Sequence, residues 1–423
     1  MPSRPAVAVI GSGVSGLTAA YLLQRTAAVT LYEADTRPGG HAHTHDVRTA
    51  DGRVIPIDSG FIVHNDRTYP NLLRLFAELG VETQPTDMTM SVRCDGCGLE
   101  YAGASGLGGL FAEGRQAFNP TYLRMLAEVK LFHRRARALL ADPNDRGATP
   151  MTLQQFLERG AYSRYFVTHF MIPVVSCVWS CPPQTALRYP ARYLFTFLNH
   201  HGMLTVTGKP KWRTVTGGSR RYVERIVSQV SATALGRPVR AVRRVGDGVE
   251  VTDAHGETRT FAQAVVATHA DQALTLLAEP TDAERRVLGA FTYSENETVM
   301  HTDASLLPRA PRARAAWNYL LDQCDSAASA VRVSYSMNRL HRLAEAQEFL
   351  VTLNPGALPE GAVIARMRYT HPVYTVDALA AQAQLPSLND GRLAFAGAYH
   401  GWGFHEDGCL SGVRAAEALG VRW

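Results

Sequence analysis

The chain has 423 residues, 46% of them hydrophobic and 19% charged. That length exceeds one ordinary core and predicts two domains, and the composition excludes a disordered polymer. Lys and Arg number 43 against 38 Asp and Glu, a net +5 that is too diffuse for a nucleic-acid surface but suits an anionic small molecule or a lipid surface.

Met1-Pro2-Ser3-Arg4-Pro5 carries no signal-peptide pattern, so a cytoplasmic protein is expected. It leads into Ala6-Val7-Ala8-Val9-Ile10, then Gly11-Ser12-Gly13-Val14-Ser15-Gly16, then Leu17-Thr18-Ala19-Ala20-Tyr21-Leu22-Leu23, which is the order strand, tight turn, helix. Gly11 allows the turn, Gly13 lets a pyrophosphate approach the backbone, and Gly16 lets helix and strand pack closely. A second strand, Val29 to Tyr32, ends at Glu33, about 20 residues on, where a ribose 2′-hydroxyl is held. The glycine pattern alone also fits an ordinary strand-to-helix turn; the flanking strands and the acidic end point to one dinucleotide site.

Next come Ala34-Asp35-Thr36-Arg37-Pro38-Gly39-Gly40-His41 and Ile57-Asp58-Ser59-Gly60-Phe61-Ile62. With the preceding turn they resemble the FAD-containing amine-oxidase-like superfamily, in which an acidic strand end is followed by a Gly-Gly doublet beside the pyrophosphate and flavin. The resemblance implies FAD as cofactor, held by Gly11, Gly13, Val14, Ser15, Gly16, Glu33, Ala34, Gly39, Gly40, His41, Gly60, Phe61 and Ile62. The family usually has Arg after the doublet, where this chain has His41.

Apolar spacing predicts a helix from Thr68 to Gly80. A hairpin follows, with arms Met88 to Arg93 and Leu99 to Ala102, and then a flexible glycine-rich loop, Gly103 to Gly109. Cys94-Asp95-Gly96-Cys97 has metal-ligand spacing, but Asp-Gly is also a two-residue hairpin turn. A zinc site needs two more ligands, and the next pair, Cys177 and Cys181, is distant with different spacing, so no metal is assigned. Six cysteines in this length make no disulfide framework.

From Asn119 to Leu204 the pattern is helical. Tyr122 to Leu140 is amphipathic with a basic face, which fits a solvated surface helix or, alternatively, a membrane-surface helix that admits an amphiphile. Met151 to Gly160, Arg164 to Cys177 and Ala191 to His200 continue a layer rich in aromatic residues, which can pack a core or wall an apolar pocket. The most apolar run, Phe166 to Trp179, falls short of the ~18 residues of a membrane span and is interrupted by His169 and Pro173.

Thr216-Gly217-Gly218 precedes a helix to Val230. Val239 to Val245, Gly248 to Thr252 and Thr258 to Phe261 alternate as antiparallel strands, and Ala264 to Thr268 has the continuous apolar character of a buried parallel strand. This order resembles the later half of the same superfamily's FAD domain, which places Val239 at adenine and Ala267 and Thr268 at the pyrophosphate. Residues 285 to 385 predict a second sheet, with strands at Glu297 to His301, Val331 to Tyr335, Phe349 to Leu353 and Val363 to Tyr369, and one helix, Val376 to Gln384. Leu393 to Gly397 is a strand, and Ser411 to Leu419 a closing helix.

His400-Gly401-Trp402-Gly403-Phe404-His405-Glu406-Asp407-Gly408-Cys409, with Phe61-Ile62-Val63-His64-Asn65, Trp317-Asn318-Tyr319, Tyr335-Ser336-Met337-Asn338-Arg339-Leu340 and Val351-Thr352-Leu353-Asn354-Pro355, resembles one bacterial branch. Its members are predicted FAD-binding oxidoreductases often associated with cyclopropane-fatty-acid-synthase-type methyltransferases. The implied fold is α/β, a Rossmann-like FAD-binding domain of the glutathione-reductase and amine-oxidase type interleaved with an α+β substrate domain. Residues 1–90, 215–285 and 390–423 are expected in the first, and 91–214 and 286–389 in the second. Gly397 and Ala398 fall beside the ribityl chain, with Ala398 where the wider superfamily has an acidic residue.

Gly408 and Cys409 are expected to present N–H groups to the flavin N1/C2=O edge, and Asp407 to cap the helix. His405, His64, Trp402 and Tyr335 are assigned to the catalytic site, the histidines because their ordinary pKa lies near neutrality; His371, His400 and His301 follow them. The function expected is hydride removal from an apolar substrate, an unsaturated or methyl-branched fatty acyl chain, with O₂ or another acceptor taking the electrons. Amine or amino-acid oxidation, redox-neutral double-bond isomerisation and a non-catalytic role beside a lipid methyltransferase are the alternatives. Peripheral membrane contact follows from the same substrate class.

Overall fold

The computed structural model describes residues 4–103, 105–142, 150–205, 208, 210–324 and 330–423. Met1 to Ser3, on which the N-terminal reading partly rests, lie outside them. At the centre Ala6–Ile10 is flanked by Ala28–Tyr32 and Gln263–Val266 in a five-stranded sheet, with Ala232–Ala234 and Leu393–Phe395 as its edges and every pairing parallel. Both faces of such a sheet must be covered, so the strands are apolar throughout. Val7 and Val9 pack with Leu17, Ala20 and Val413 of two helices, while Ala8 and Ile10 face Val239, Val249 and Phe261 of a three-stranded antiparallel sheet.

The second sheet has seven strands in the order Val363–Val373, Thr292–His301, Leu350–Leu353, Val333–Ser336, Trp317–Leu321, Met90–Cys94, Leu99–Ala102. Only the Trp317–Leu321 pairing with Met90–Cys94 is parallel. Helices Pro120–Ala141, Leu153–Arg159, Pro183–Arg188 and Ala191–His200 cover it through a core of Tyr122, Phe132, Phe156, Phe166 and Phe195. The predicted helix from Arg164 is interrupted by a π-turn, Val167–Met171, and resumes as Ile172–Trp179. Pro173 supplies the reason, since it lacks an N–H and its ring would press on the carbonyl four residues back.

Several predicted boundaries are corrected. Gly106–Leu110 is a short helix within the stretch expected to be loop. The hairpin tip is a four-residue loop, Asp95 to Gly98, between paired Cys94 and Leu99, with Gly98 at φ +70°. The strand Trp317–Leu321 and the hairpin Thr44–Arg48 with Val54–Asp58 were not anticipated. The last helix starts at His405 rather than Ser411 and runs to Ala418. Among the described residues no helix is long and apolar enough to cross a membrane.

Candidate active site

Ligands of open parallel sheets bind beyond the carboxyl ends of the strands, where strand order reverses. Here Ile10, Tyr32, Ala267 and Gly397 all reach that edge, and all border one cavity of about 1330 Å³. Gly11 turns the chain at φ +100°, and a Cβ there would lie 2.6 Å from the Ala267 carbonyl oxygen. At Gly16 it would lie 1.9 Å from the Gly11 oxygen, so close packing demands glycine at both positions. A Cβ on Gly13 would instead project into open cavity.

The helix Val14–Leu23 begins beside it with no side-chain cap and no acidic residue in its first turn. Its leading amides therefore face the cavity with the positive end of the helix dipole, which suits a pyrophosphate. Glu33 also lines the cavity and is oriented by Ser12, whose amide donates to Oε2 at 2.9 Å and whose hydroxyl donates at 2.5 Å. The same hydroxyl accepts the Gly39 amide at 3.0 Å, tying the acidic strand end to the Gly39-Gly40 loop. On the wall near that loop, His41 Nε2 is buried without a partner. An uncapped helix, a glycine opening into space and an orphaned imidazole nitrogen fit the FAD expected from the sequence.

Further along, the His41 carbonyl accepts the Phe61 amide at 2.7 Å, and Phe61 stacks on His405 with ring centroids 3.6 Å apart and planes 9° from parallel. His405 Nε2 lies 3.0 Å from the hydroxyl of the fully buried Tyr222. Desolvation pushes the His405 imidazole down to about 3 and that of His371 to about 4, and burial lowers His41 and His269 as well. All four are neutral at pH 7. Tyr369 lies between this group and Ser59, with its hydroxyl 2.7 Å from Ser59 Oγ and 3.0 Å from His43 Nδ1.

The remaining half of the cavity is walled by Trp179, Phe197, Trp317, Tyr335, Trp402 and Phe404, with Met171, Val174, Val129 and Leu126 beyond. Among the described residues its only lining carboxylates are Glu33 and Asp271, both at the nucleotide end. Lys130 and His133, from the helix Pro120–Ala141, line the apolar half. Leu107 also lines it while remaining 75% exposed, which marks the mouth.

Most expected residues meet in this cavity: Gly11, Gly13, Val14, Ser15, Glu33, Ala34, Gly40, His41, Gly60, Phe61, Ile62, Val239, Ala267, Thr268, Gly397, Ala398, Tyr335, Trp402 and His405. Gly16 and Gly39 serve its backbone from behind. His64 does not line it; its ring is buried, both nitrogens lack a partner, and Phe76 packs edge-on at 5.4 Å. His301 bonds Thr352 Oγ1 at 2.7 Å, and His400 borders a separate small cleft.

Gly408 and Cys409 are also off the cavity. Because the helix starts at His405, the Gly408 amide already bonds the Phe404 carbonyl at 3.0 Å, and the leading amides belong to His405, Glu406 and Asp407. Gly408 is small for another reason: a Cβ would lie 2.6 Å from Val14 Cγ1. Cys409 is buried with its Sγ 3.6 Å from Thr18 Oγ1. Asp407 is not the residue that precedes the helix but its third, and its carboxylate reaches back to accept the Phe404 amide at 2.9 Å; burial pushes that carboxyl up to about 7. Glu406 caps a different helix, accepting the Asn71 and Leu72 amides. Sequence reasoning missed the roles of Ser12, Lys130, His269 and Tyr369; of these Ser12, inside the glycine turn, and His269, directly after the Ala267-Thr268 strand end, stood at positions that a rule points to.

The sequence model of the flavin-containing amine oxidoreductases matches residues 14–300. No curated protein matches the chain. Similar solved structures include cyclohexylamine oxidase from Brevibacterium oxydans IH-35A, at 17% identity and TM-score 0.67, with 98% of each chain covered. Putrescine oxidase, wild type bound to putrescine, aligns over 98% of each chain at 15% identity and TM-score 0.68. A CLA-producing fatty acid isomerase from P. acnes aligns over 97% of each chain at 16% identity and TM-score 0.66. At such identities the likeness is one of fold.

Proposed function

The chain belongs to the flavin-containing amine oxidoreductase family and is an FAD-dependent oxidoreductase; from that premise we propose that its substrate is an apolar acyl chain, unsaturated or methyl-branched, and not an amine. The observation that carries this reading is the apolar half of the cavity, where aromatic and aliphatic side chains form the wall and, among the described residues, no carboxylate lines it to receive an ammonium. Lys130 is the matching cation for an acyl carboxylate or an anionic headgroup. It is one of three lysines in the sequence, with Lys209 and Lys211. The exposed Leu107 at the mouth, with Phe118 and Leu123 also exposed nearby in sequence, suits entry of an amphiphile from a lipid surface.

The glycine turn, Glu33 and the wall of Gly40, His41, Gly60, Phe61 and Ile62 would hold FAD, which would supply a hydride acceptor whose reoxidation reduces O₂ to H₂O₂. The protein contributes enclosure and proton handling. Trp402, Phe404, Tyr335 and Trp317 enclose the apolar half, and burial keeps His405 and His371 neutral, so that either would take a proton only as opposite charge develops beside it. Tyr222 holds the His405 ring against Phe61, so its orientation is set before substrate arrives. A redox-neutral double-bond isomerisation is the second reading, favoured by the same apolar wall and by the fatty acid isomerase among the structures of like fold.

The test is incubation of the FAD-loaded protein in air with a set of unsaturated and branched fatty acids and, separately, with primary amines. Chromatography coupled to mass spectrometry should find an acyl product lacking two hydrogens, with H₂O₂, for oxidation, or one of unchanged mass and altered retention, without H₂O₂, for isomerisation. Amine consumption with unchanged acyl chains overturns the proposal.

A further inference from the structure

Away from the cavity floor, the hairpin tip brings together four groups that the oxidoreductase chemistry does not use. Cys94 ends the strand Met90–Cys94, and Cys97 sits in the loop that follows. His169 comes from the π-turn Val167–Met171, and Cys324 from the turn after Trp317–Leu321. Their Sγ and imidazole nitrogen atoms all lie within 4.8 Å of one another. We propose that Cys94, Cys97, His169 and Cys324 form a structural zinc site.

Two of the six distances among these atoms match the edges of a zinc tetrahedron, and the other four are no longer than 4.8 Å. With Zn–S near 2.3 Å and Zn–N near 2.0–2.1 Å, its edges are about 3.8 Å between sulfurs and about 3.6 Å from sulfur to nitrogen. Cys94 Sγ and Cys324 Sγ are 3.7 Å apart, and Cys97 Sγ is 3.5 Å from His169 Nε2. A disulfide needs its sulfurs at about 2.05 Å, so this separation suits joint ligation of an ion and not a bond between Cys94 and Cys324.

The surroundings are fixed in the same sense. His169 Nδ1 lies 3.1 Å from the Tyr165 carbonyl, which can only accept; this sets the tautomer and leaves the Nε2 lone pair aimed at the thiols. The His169 carbonyl in turn accepts the Tyr101 hydroxyl at 2.8 Å. The Gly98 amide bonds the Cys94 carbonyl at 2.9 Å, and Gly98 takes φ +70°, closing the Cys-x-x-Cys loop. Asp95 N donates to the Leu321 carbonyl at 2.8 Å, and a Cβ on Gly96 would lie 2.9 Å from Gln323 Cα, so the two loops are packed together. His169 and Cys94 are buried while Cys97 is exposed, which leaves an entry path for the ion.

On binding, each thiol gives a proton to solvent as its Sγ–Zn bond forms, and His169 donates a lone pair as the neutral base. Three thiolates and one imidazole close the shell, the arrangement of a structural and not a catalytic zinc. The ion would tie the hairpin to the helical cover, and Val92, Tyr101, Phe170 and Met171 on those elements line the substrate cavity.

The test is metal analysis of the full-length protein, grown with added zinc, desalted and handled under reducing, anaerobic conditions. The expected result is about one zinc per chain, independent of FAD content, and lost in C97S, whose exposed side chain can change without disturbing the core. C181S, at a buried cysteine outside the cluster, controls for general damage and should retain the ion. Replacement by Co²⁺ should give thiolate-to-cobalt charge-transfer absorption that C97S and C324S weaken, and zinc removal should lower the melting temperature without releasing FAD. Zinc content equal in wild type and C97S, no zinc in well-folded wild type, or a Cys94–Cys324 disulfide in anaerobically mapped peptides would each overturn the assignment.

Discussion

The imidazole of His405 lies flat against the phenyl ring of Phe61, 3.6 Å between centroids, with its Nε2 anchored 3.0 Å from the Tyr222 hydroxyl. This places a neutral base on the cavity wall in one orientation, at the start of a helix whose dipole faces the same space. Replacing His405 with Ala should keep the flavin bound but slow its reduction by ~10²-fold to 10⁴-fold, the range for loss of a positioned acid or base. Tyr222→Phe should slow it less, because it releases the ring without removing it. Anaerobic stopped-flow with an acyl substrate measures both; equal reduction rates in wild type and H405A would remove His405 from the mechanism and turn attention to His371.

Glu33 and Ser12 form the hinge between the first turn and the Gly39-Gly40 loop. Glu33→Ala should lower flavin occupancy of the purified protein, and Ser12→Ala should lower it by a smaller amount, since the carboxylate remains but is no longer oriented. Visible flavin absorbance per mole of protein reads both. Full occupancy in E33A would contradict the ribose assignment.

Stability should vary with pH in two opposing ways. Burial holds His405 at about 3 and His64, His201 and His371 at about 4 in the folded protein, against about 6.5 when unfolded. Below 6.5 the unfolded chain therefore binds more protons, and the stability present above 6.5 is lost as pH falls toward 4. Asp407 acts in the other direction: its folded value of about 7 exceeds the ordinary value of 3.8, so the stability it contributes in acid is lost as pH rises to 7. Asp407→Asn should thus improve the melting temperature relative to wild type above pH 7 more than near pH 4. A difference that is constant across that range would show that Asp407 does not titrate there.

The packing of the first and last helices should tolerate no added bulk. A Cβ at Gly412 would lie 2.3 Å from the Ser15 carbonyl oxygen and 2.9 Å from Thr18 Cβ. Gly412→Val should destabilise by about 2 kcal/mol or more through backbone displacement, and because Ser15 borders the nucleotide end, flavin loss should accompany the drop. Chemical denaturation with and without added FAD measures it; a neutral result would mean that the helices separate freely.

Much of the nucleotide end was legible in sequence because its information is local. From Ala6 to Glu33 the strand, the three glycines and the acidic end follow one another along the chain; Gly11 and Gly16 have the close packing their positions imply, and Gly13 opens into the cavity. The catalytic half was less so. His64 and His371 look alike as sequence, yet one is packed behind Phe76 and the other borders the cavity, a difference set by tertiary packing. The last helix was placed too late because Gly401, Gly403 and Gly408 resemble a loop; Gly408 is helical and small only to admit Val14. Cys94 and Cys97 were visible as a pair, but His169 and Cys324 reach them through a π-turn and a parallel strand pairing that no local pattern announces.

The most direct measurement of the central claim is the visible spectrum of the FAD-loaded protein mixed anaerobically with an unsaturated or methyl-branched fatty acid, and in parallel with a primary amine. Without oxygen, two-electron oxidation of substrate leaves the flavin reduced and its visible absorbance bleached. The account predicts bleaching by the acyl chain, weakened affinity for it in Lys130→Ala, and an unchanged spectrum with the amine. Bleaching by the amine, with no response to any acyl chain, would contradict it.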